Sequence, residues 1–222
     1  MLYDNQTESI MKRVLERRSN CVDVGCHHGA ILDLMLRIAP EGEHHGFEPL
    51  PHLYSAAVRK YAGSGNVHLY EAALSDVRGT ASFQHVVSNP AYSGLLKRRY
   101  DRPHEDVEEI QVRLLKLDDV LPQDFDVRLI KIDVEGAELQ VLRGSANTLL
   151  RCRPYVIFEH GLGAADAYGT HPEMVFDLLT RCGLRPVLMS DWLTSSGRKT
   201  LSREAFADEF NSTRNYYFLA HP

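Results

Sequence analysis

The stretch LIKIDVEGAEL, residues 129–139, places charged side chains at the end of an apolar run. Side chains alternate along a strand, so Lys131 and Asp133 are predicted to share one face. Glu135 and Glu138 follow at the start of the next helix, where negative charge is favourable. The pattern predicts that Asp133 stands at a sheet edge, where it can meet a substrate, while the two glutamates stabilise the helix start.

A second apolar run, PYVIFEH, ends in Glu159 and His160. If the two runs form neighbouring strands, these groups share an edge with Asp133 and are suited to general acid–base chemistry. We predict His160 as the base, because imidazole titrates near neutral pH, with Asp133 as its rival or its orienting partner. A satisfied polar histidine is the alternative. Lys131 is predicted to pair with Glu159 and neutralise a buried charge.

The same groups are also potential metal ligands. Asp133, Glu159 and His160, with Glu135, offer the oxygen-rich ligands that Mg²⁺ prefers. Nothing in their linear spacing fixes their convergence, so a magnesium site is the less favoured hypothesis, and no metal is expected.

The composition indicates a globular chain with one domain, residues 1–222. Of these residues 44% are apolar, which is enough for a substantial core. The formal net charge of −5 argues against a nucleic-acid partner, since such proteins usually carry a basic excess. There is no apolar run of membrane-spanning length, and the four cysteines lack metal-site or secreted disulfide spacing. We expect a cytoplasmic protein; the sequence does not specify its oligomeric state.

Short β-rich runs alternate with amphipathic runs of helix length from residue 20 onward. Residues 1–19 are predicted as an amphipathic helix rather than a signal peptide. The alternation predicts right-handed crossovers and an α/β fold, with a mostly parallel sheet and helices on both faces. The runs ending in Asp133 and His160 are predicted as central strands, with one helix over AELQVLRGSANTLL crossing between them. A loop is predicted around Trp192, which either stacks on a sugar ring or anchors the core.

The segment VDVGCHHG joins the first predicted strand to a helix. It contains Asp23, Gly25 and Gly29, and this is the place where open α/β sheets bind nucleotide-like ligands. A dinucleotide fingerprint needs a second glycine where this chain has His27, which would crowd a pyrophosphate, and the P-loop ending is missing. An adenosine ligand without phosphates, such as S-adenosylmethionine, tolerates this turn. A tight turn with no ligand is the alternative.

Glu48 ends the second predicted strand, 25 residues after Asp23. A carboxylate there can accept hydrogen bonds from the two vicinal hydroxyls of a ribose. The alternative is a solvated carboxylate before Pro49 that caps the next helix.

Several segments, taken together, resemble the FkbM-type family of S-adenosylmethionine-dependent methyltransferases. They cover roughly residues 20–160 in the family's order, and they are VDVGCHHG, GFEP, EAALSD, LKLDDVL and above all LIKIDVEGAELQVLRG followed by RPYVIFEH. The resemblance implies a Rossmann-like, class I methyltransferase sheet of seven strands with the last strand antiparallel. It also implies S-adenosylmethionine as the methyl donor and transfer to a hydroxyl of a sugar or natural product. The family usually carries Asn where this chain has His27.

The resemblance also implies a cofactor-binding set. Asp23, Gly25 and Gly29 would surround the methionine part, and Glu48 would hold the ribose. Glu71 and Ala72 would lie near the adenine, unless Glu71 is an ordinary exposed strand end. The full set is Asp23, Gly25, Cys26, Gly29, Glu48, Glu71, Ala72 and Asp133.

One long polar segment, residues 87–107, is predicted as a lid over the acceptor. It contains Tyr92 and Ser93 and a basic run, Lys97, Arg98 and Arg99, which would favour an anionic acceptor. A solvated loop is the alternative. The predicted acceptor-contacting residues are Tyr92, Ser93, Glu135 and Glu159.

The function predicted from these features is S-adenosylmethionine-dependent O-methyl transfer to a small hydroxylated molecule, a sugar or a glycosylated natural product. Two other classes remain open. The same order of elements suits an NAD(P)-dependent oxidoreductase, and a methyltransferase-like binding protein without catalysis would carry the same cofactor site.

Overall fold

The computed structural model describes residues 2–97, 105–195 and 197–222. The strands found there are β1 (Cys21–Val24), β2 (His44–Phe47), β3 (Val67–Tyr70), β4 (Ala73–Leu74), β5 (Gly79–Val86), β6 (Val107–Leu115), β7 (Leu129–Ile132), β8 (Tyr155–Glu159), β9 (Arg185–Leu188) and β10 (Tyr217–His221). The α-helices are α1 (Leu2–Val14), α2 (Ala30–Ile38), α3 (Pro51–Lys60), α4 (Leu117–Val120), α5 (Glu138–Arg143), α6 (Ala146–Cys152), α7 (Pro172–Arg181), α8 (Met189–Ser195) and α9 (Arg203–Asn211).

A seven-stranded sheet organises the chain, in the order β3-β2-β1-β7-β8-β10-β9. Neighbouring strands in the part β3-β2-β1-β7-β8 of this order pair in parallel. Strand β10 is antiparallel to both of its neighbours, β8 and β9. The predicted α/β sheet with an antiparallel last strand is therefore confirmed. The strand order reverses between β1 and β7, and ligands bind at such a switch point, beyond the carboxyl ends of the strands.

The two faces of the sheet bury different side chains of the same strands. On one face, Ile130 and Phe158 pack beneath α5, α7 and α9. On the other face, Leu129 and Ile157 pack beneath α1, α2 and α8. Because side chains alternate, Lys131 falls on the same face as Leu129 and is itself buried.

A second sheet, in the order β4-β6-β5, lies beside the first. Phe83 of β5 and Val112 of β6 pack against Leu50 and Leu53 around the start of α3. This second sheet is attached next to the turn that follows β2.

The described part of the predicted lid is tied down by hydrogen bonds. The backbone N–H of Val86 donates to Ser93 Oγ at 3.0 Å, and the backbone N–H of Leu96 donates to the Tyr168 hydroxyl at 2.9 Å. Residues 98–104, which include Arg98 and Arg99, lie outside the described residues. The predicted basic run is thus represented here by Lys97 alone.

Two local predictions differ from the structure. Trp192 lies in α8 rather than in a loop, and its buried ring meets Tyr155 at a centroid distance of 5.8 Å as a core anchor. The single predicted crossing helix is divided into α5 and α6 around Gly144, where a Cβ would lie 2.0 Å from the Ser75 carbonyl oxygen. The Asp118 side chain caps the start of α6, because its carboxylate accepts hydrogen bonds from backbone N–H groups in the first turn of that helix.

The N-terminal helix α1 is shorter than its predicted range, residues 1–19, and ends at Val14. Within the described ranges, no helix combines the length and the apolar character needed to cross a membrane.

Candidate functional site

A cavity of about 220 Å³, open to solvent, lies at the carboxyl ends of β1, β2 and β7. Its walls come from the turn after β1, the segment after β2, residues 72–74, the second sheet, the described part of the lid and residues 133–137. Segments distant in sequence therefore converge where the strand order reverses.

The turn after β1 brings the backbone close to the end of β7. Gly25 has φ of 79°, and a Cβ there would lie 2.0 Å from the Asp133 carbonyl oxygen, so only glycine fits. The backbone N–H groups of Gly25 and Cys26 both donate to the Phe47 carbonyl at 3.0 Å. Gly25 lines the cavity, whereas Cys26 and Gly29 do not. Gly29 instead packs against Tyr61, whose hydroxyl would lie 2.3 Å from an added Cβ.

Asp23 is buried directly before this turn and does not line the cavity. Burial raises the pKa of its carboxyl to about 7, with Lys131 opposing the shift. Its Oδ2 atom has no hydrogen-bond partner among the described residues.

Glu48 is fixed by two backbone groups at the end of β2. Its Oε2 accepts from the His27 N–H at 2.8 Å, and its Oε1 accepts from the Leu50 N–H at 2.9 Å. The residue is only 4% exposed, and burial raises the pKa of the carboxyl. Glu48 lines the cavity, and each oxygen keeps a lone pair for a ligand hydroxyl.

Glu71 and Ala72, which were predicted near the adenine, face different parts of the surface. Ala72 is buried and lines the cavity, together with Ala73 and Leu74. Glu71 is exposed and faces a neighbouring surface depression that Tyr54 also lines. Only Ala72 of the pair therefore reaches the cavity.

Asp133 receives donors from three other residues. Lys131 Nζ lies 2.9 Å and the Tyr217 hydroxyl 2.7 Å from its Oδ2, and Glu159 also hydrogen-bonds to it. Burial opposes ionisation, but the Lys131 ammonium and the hydrogen bonds from Glu159 and Tyr217 hold the pKa of Asp133 below its usual range. Burial is the main cause that raises the pKa of Glu159, and the nearby negative charge of Asp133 raises it further. At neutral pH the charge therefore resides on Asp133 and the proton on Glu159.

The predicted ion pair between Lys131 and Glu159 is replaced by one between Lys131 and Asp133. Lys131 and Asp133 are two positions apart on one strand, so their side chains lie side by side on one face. Glu159 forms a hydrogen bond with Asp133 and is not the ion-pair partner of Lys131.

His160 lies away from the cavity. Its ring is 0% exposed and sits against Phe206 and Phe210 of α9, at centroid distances of 5.9 and 4.6 Å. Burial lowers its pKa to about 3, and neither ring nitrogen has a hydrogen-bond partner among the described residues. Because Glu159 and His160 are consecutive, they face opposite sides of the sheet, and alternation in the sequence already carried that signal.

The two glutamates after β7 have different positions. Glu138 is buried, and its Oε1 accepts from the Gly136 N–H at 3.0 Å; burial raises its pKa to about 7. Glu135 has φ of 57° and lines the cavity. Glu138 thus hydrogen-bonds within the turn into α5, and Glu135 lies on the ligand side.

Three carboxylates come together beside the cavity. Ligand oxygens of Asp133, Glu135 and Glu159 all lie within 4.8 Å of one another, and His160 is not part of this group. The Lys131 ammonium and the Tyr217 hydroxyl already bind Asp133 Oδ2. A divalent cation would compete with both donors, so the arrangement does not fit the Mg²⁺ hypothesis.

In the lid, Ser93 lines the cavity and Tyr92, at the end of the 3-10 helix Pro90–Tyr92, does not. Sequence reasoning did not identify Phe83 and Leu95, which add apolar surface to the wall, or Tyr217 as a partner of Asp133. Their only sequence signal was an apolar or aromatic residue in a strand or loop, which is common throughout the chain.

Comparison with known proteins gives a family match over most of the chain. The model described as the methyltransferase FkbM domain matches residues 23–186. The chain is 27% identical over 152 residues to methyltransferase sdnD of Sordaria araneosa, covering 55% of this chain and 59% of that protein. It is 26% identical over 151 residues to 2-O-methyltransferase NoeI of Sinorhizobium fredii, covering 60% of this chain and 59% of that protein. The chain thus spans about three fifths of the length of these relatives.

Solved structures share the fold at low sequence identity. Methyltransferase FkbM from Methylobacillus flagellatus aligns with a TM-score of 0.57 and 12% identity, over 94% of this chain and 44% of that one. Fibrillarin from Aeropyrum pernix, solved with natively bound S-adenosyl-L-methionine, aligns with a TM-score of 0.50 and 12% identity, over 98% and 74%. The fold is that of class I S-adenosylmethionine-dependent methyltransferases. Since the family match covers most of this sheet, the chain belongs to the FkbM methyltransferase family.

Proposed function

We propose that the protein is an S-adenosylmethionine-dependent O-methyltransferase that modifies a hydroxyl of a small molecule, a sugar or a glycosylated natural product. The observation that carries the proposal is one cavity with backbone-oriented Glu48 at one wall and ionised Asp133 at another. The first group suits the ribose of the donor, and the second suits an acceptor hydroxyl.

The cavity fits the proposed donor part by part. Glu48 would accept hydrogen bonds from the two ribose hydroxyls, and the Ala72–Leu74 segment with Phe83 offers a flat apolar wall for adenine. Gly25, two positions after Asp23, lines the cavity and would face the methionine part. His27 lines the cavity where a dinucleotide site needs glycine, which disfavours the NAD(P) alternative.

When bound, S-adenosylmethionine supplies a methyl group on a positively charged sulfur, which makes that carbon electrophilic. Asp133 would then have two tasks. Its carboxylate would orient the acceptor hydroxyl by accepting a hydrogen bond, and it would take the proton as the acceptor oxygen bonds to the methyl carbon and the carbon–sulfur bond breaks, which leaves the sulfur as a neutral thioether. A protonated ether is a far stronger acid than any carboxylic acid. The lowered pKa of Asp133 is therefore no obstacle to accepting the proton late in the reaction.

The charges around the cavity favour a neutral acceptor over an anionic one. Asp133 and Glu135 line the wall, whereas Lys97, the described residue of the basic run, does not. A sugar ring, whose hydroxyls donate hydrogen bonds to carboxylates, matches this surface. The name of one relative, 2-O-methyltransferase, supports transfer to oxygen.

Two measurements test the proposal. S-adenosylhomocysteine should bind and raise the melting temperature while NAD(P) does not, and labelled methyl groups from the donor should appear on a sugar or glycosylated acceptor. Stabilisation by NAD(P) alone would favour the oxidoreductase. Binding of S-adenosylhomocysteine without transfer to any acceptor would favour a binding protein.

A further inference from the structure

Asp133 is held by a residue from the far end of the chain. The hydroxyl of Tyr217, at the start of β10, donates to Asp133 Oδ2 at 2.7 Å. The Lys131 ammonium donates to the same oxygen at 2.9 Å and lies 5.2 Å from the centroid of the Tyr217 ring. The phenol thus touches both the carboxylate and its counter-ion.

The antiparallel register of β10 explains how Tyr217 reaches this position. Tyr217 is directly opposite Glu159 on β8, so the two side chains lie next to each other on one face. Both residues hydrogen-bond to Asp133. A shift of one residue in this register would turn Tyr217 away from the cavity side.

Helix α1 supports Tyr217 from the outside. The ring of Tyr3 lies 5.0 Å from the Tyr217 ring, at an interplanar angle of 36°. The Tyr3 hydroxyl also accepts a hydrogen bond from the Tyr216 backbone N–H at 3.3 Å. The first turn of the chain therefore restrains the position of the phenol.

The donors decide which of the two carboxyl groups carries the charge. Asp133 faces an ammonium and a phenol, whereas Glu159 faces the Asp133 carboxylate. Without the phenol, a charged hydrogen bond to Asp133 is lost and the negative charge is shared more evenly with Glu159. The orientation of the Asp133 carboxylate plane also loses one of its anchors.

We propose that Tyr217 is a positioning residue for methyl transfer, which keeps Asp133 ionised and correctly oriented, and that Tyr3 of α1 holds Tyr217 in place. The inference rests on the proposed role of Asp133. It adds that α1 and β10, both remote from Asp133 in the sequence, complete the reaction edge of the sheet.

The test compares Tyr217→Phe with Tyr216→Phe. Each variant loses one hydroxyl, and among the described residues the Tyr216 hydroxyl has no hydrogen bond, so it is the matched control. For Tyr217→Phe we expect kcat to fall by about 10- to 100-fold, the loss of one hydrogen bond to a charged group. KM and the affinity for S-adenosylhomocysteine should stay within about twofold, and the acidic limb of the pH profile should move to higher pH.

A second readout does not need turnover. With labelled aspartate carboxyl carbons, the midpoint of the NMR titration of Asp133 should move to higher pH in Tyr217→Phe and stay unchanged in Tyr216→Phe. The proposal would be overturned if Tyr217→Phe and Tyr216→Phe had the same kcat and the same midpoint for the Asp133 titration. If the wild-type protein transfers no methyl group, the proposed function fails, while the titration still tests the link between Tyr217 and Asp133.

Tyr3→Leu supplies an independent variant should Tyr217→Phe fold poorly. It leaves all groups around Asp133 in place but removes the ring that covers Tyr217. The Asp133 titration and kcat should change in the same direction as in Tyr217→Phe, and by less. A Tyr3→Leu protein identical to the wild type in both would contradict the role of α1.

Discussion

Glu159 and His160 are neighbours in the chain but lie on opposite faces of the sheet. Glu159 hydrogen-bonds to Asp133 beside the cavity, and His160 is enclosed by Phe206 and Phe210 beneath α9. This relationship moves the proposed proton acceptor from His160 to Asp133.

We predict that His160→Leu leaves methyl transfer within about twofold of wild type. The same substitution should also remove one contribution to the pH dependence of the unfolding free energy. The unfolded imidazole takes up a proton as the pH falls through 6.5, whereas the buried ring, with a pKa of about 3, does not. Between about pH 7 and pH 5 the unfolding free energy of wild type should therefore fall by about 2 kcal/mol relative to that of His160→Leu. Urea denaturation at both pH values measures this, and a 100-fold loss of activity would restore His160 as the base.

Asp133→Asn should lower kcat by about 100-fold or more, because the amide cannot take the hydroxyl proton. The affinity for S-adenosylhomocysteine should change little. Glu71→Gln, which makes the same chemical change on an exposed residue outside the cavity, is the control. A variant that keeps more than about a tenth of wild-type kcat would exclude Asp133 as the proton acceptor.

Glu48→Ala should weaken the binding of S-adenosylhomocysteine by about 1.5 to 3 kcal/mol, through the loss of charged hydrogen bonds to the ribose. Isothermal titration calorimetry measures the change directly. Glu71→Ala should bind as wild type, since Glu71 faces away from the cavity. The reverse ranking of the two variants would place the ribose on the Glu71 side.

Gly25→Ala should reduce the affinity for S-adenosylhomocysteine by about 100-fold, because a Cβ would collide with the Asp133 carbonyl in a backbone conformation that alanine disfavours. Gly63→Ala is the control, since a Cβ added at Gly63 would meet no atom within 4 Å. Circular dichroism distinguishes a closed cavity in a folded protein from general unfolding. Unchanged affinity would show that the turn can move without cost.

Glu138 should make the protein less stable as the pH rises. Burial raises its pKa from 4.5 to about 7, so between these values the folded state holds a proton that the unfolded state has released. The free energy of unfolding should fall by about 2 to 3 kcal/mol more in wild type than in Glu138→Gln between about pH 5 and pH 8. The raised pKa of Asp23 lowers the unfolding free energy with rising pH in both wild type and Glu138→Gln. The difference between the two curves therefore reports on Glu138 alone. Parallel curves would mean that Glu138 is ionised in the fold.

Much of the fold was predictable because its signals are local. The alternation of β-rich and amphipathic runs predicted the parallel sheet, and the antiparallel last strand followed from the family resemblance. Gly25, Glu48 and Asp133 were placed at the cavity because each directly follows an apolar strand, and the carboxyl ends of parallel strands meet at one edge. The sequence by itself determined these features.

Only the tertiary structure decided the partners of each charged group. Lys131 pairs with Asp133 rather than Glu159, and Tyr217 reaches Asp133 from 84 positions away through the register of β10. Hydrogen bonds and burial depend on distances between segments that are remote in the chain, and packing and register set these distances. The sequence thus specified where the reaction edge lies, and the fold determined which carboxyl group is charged there.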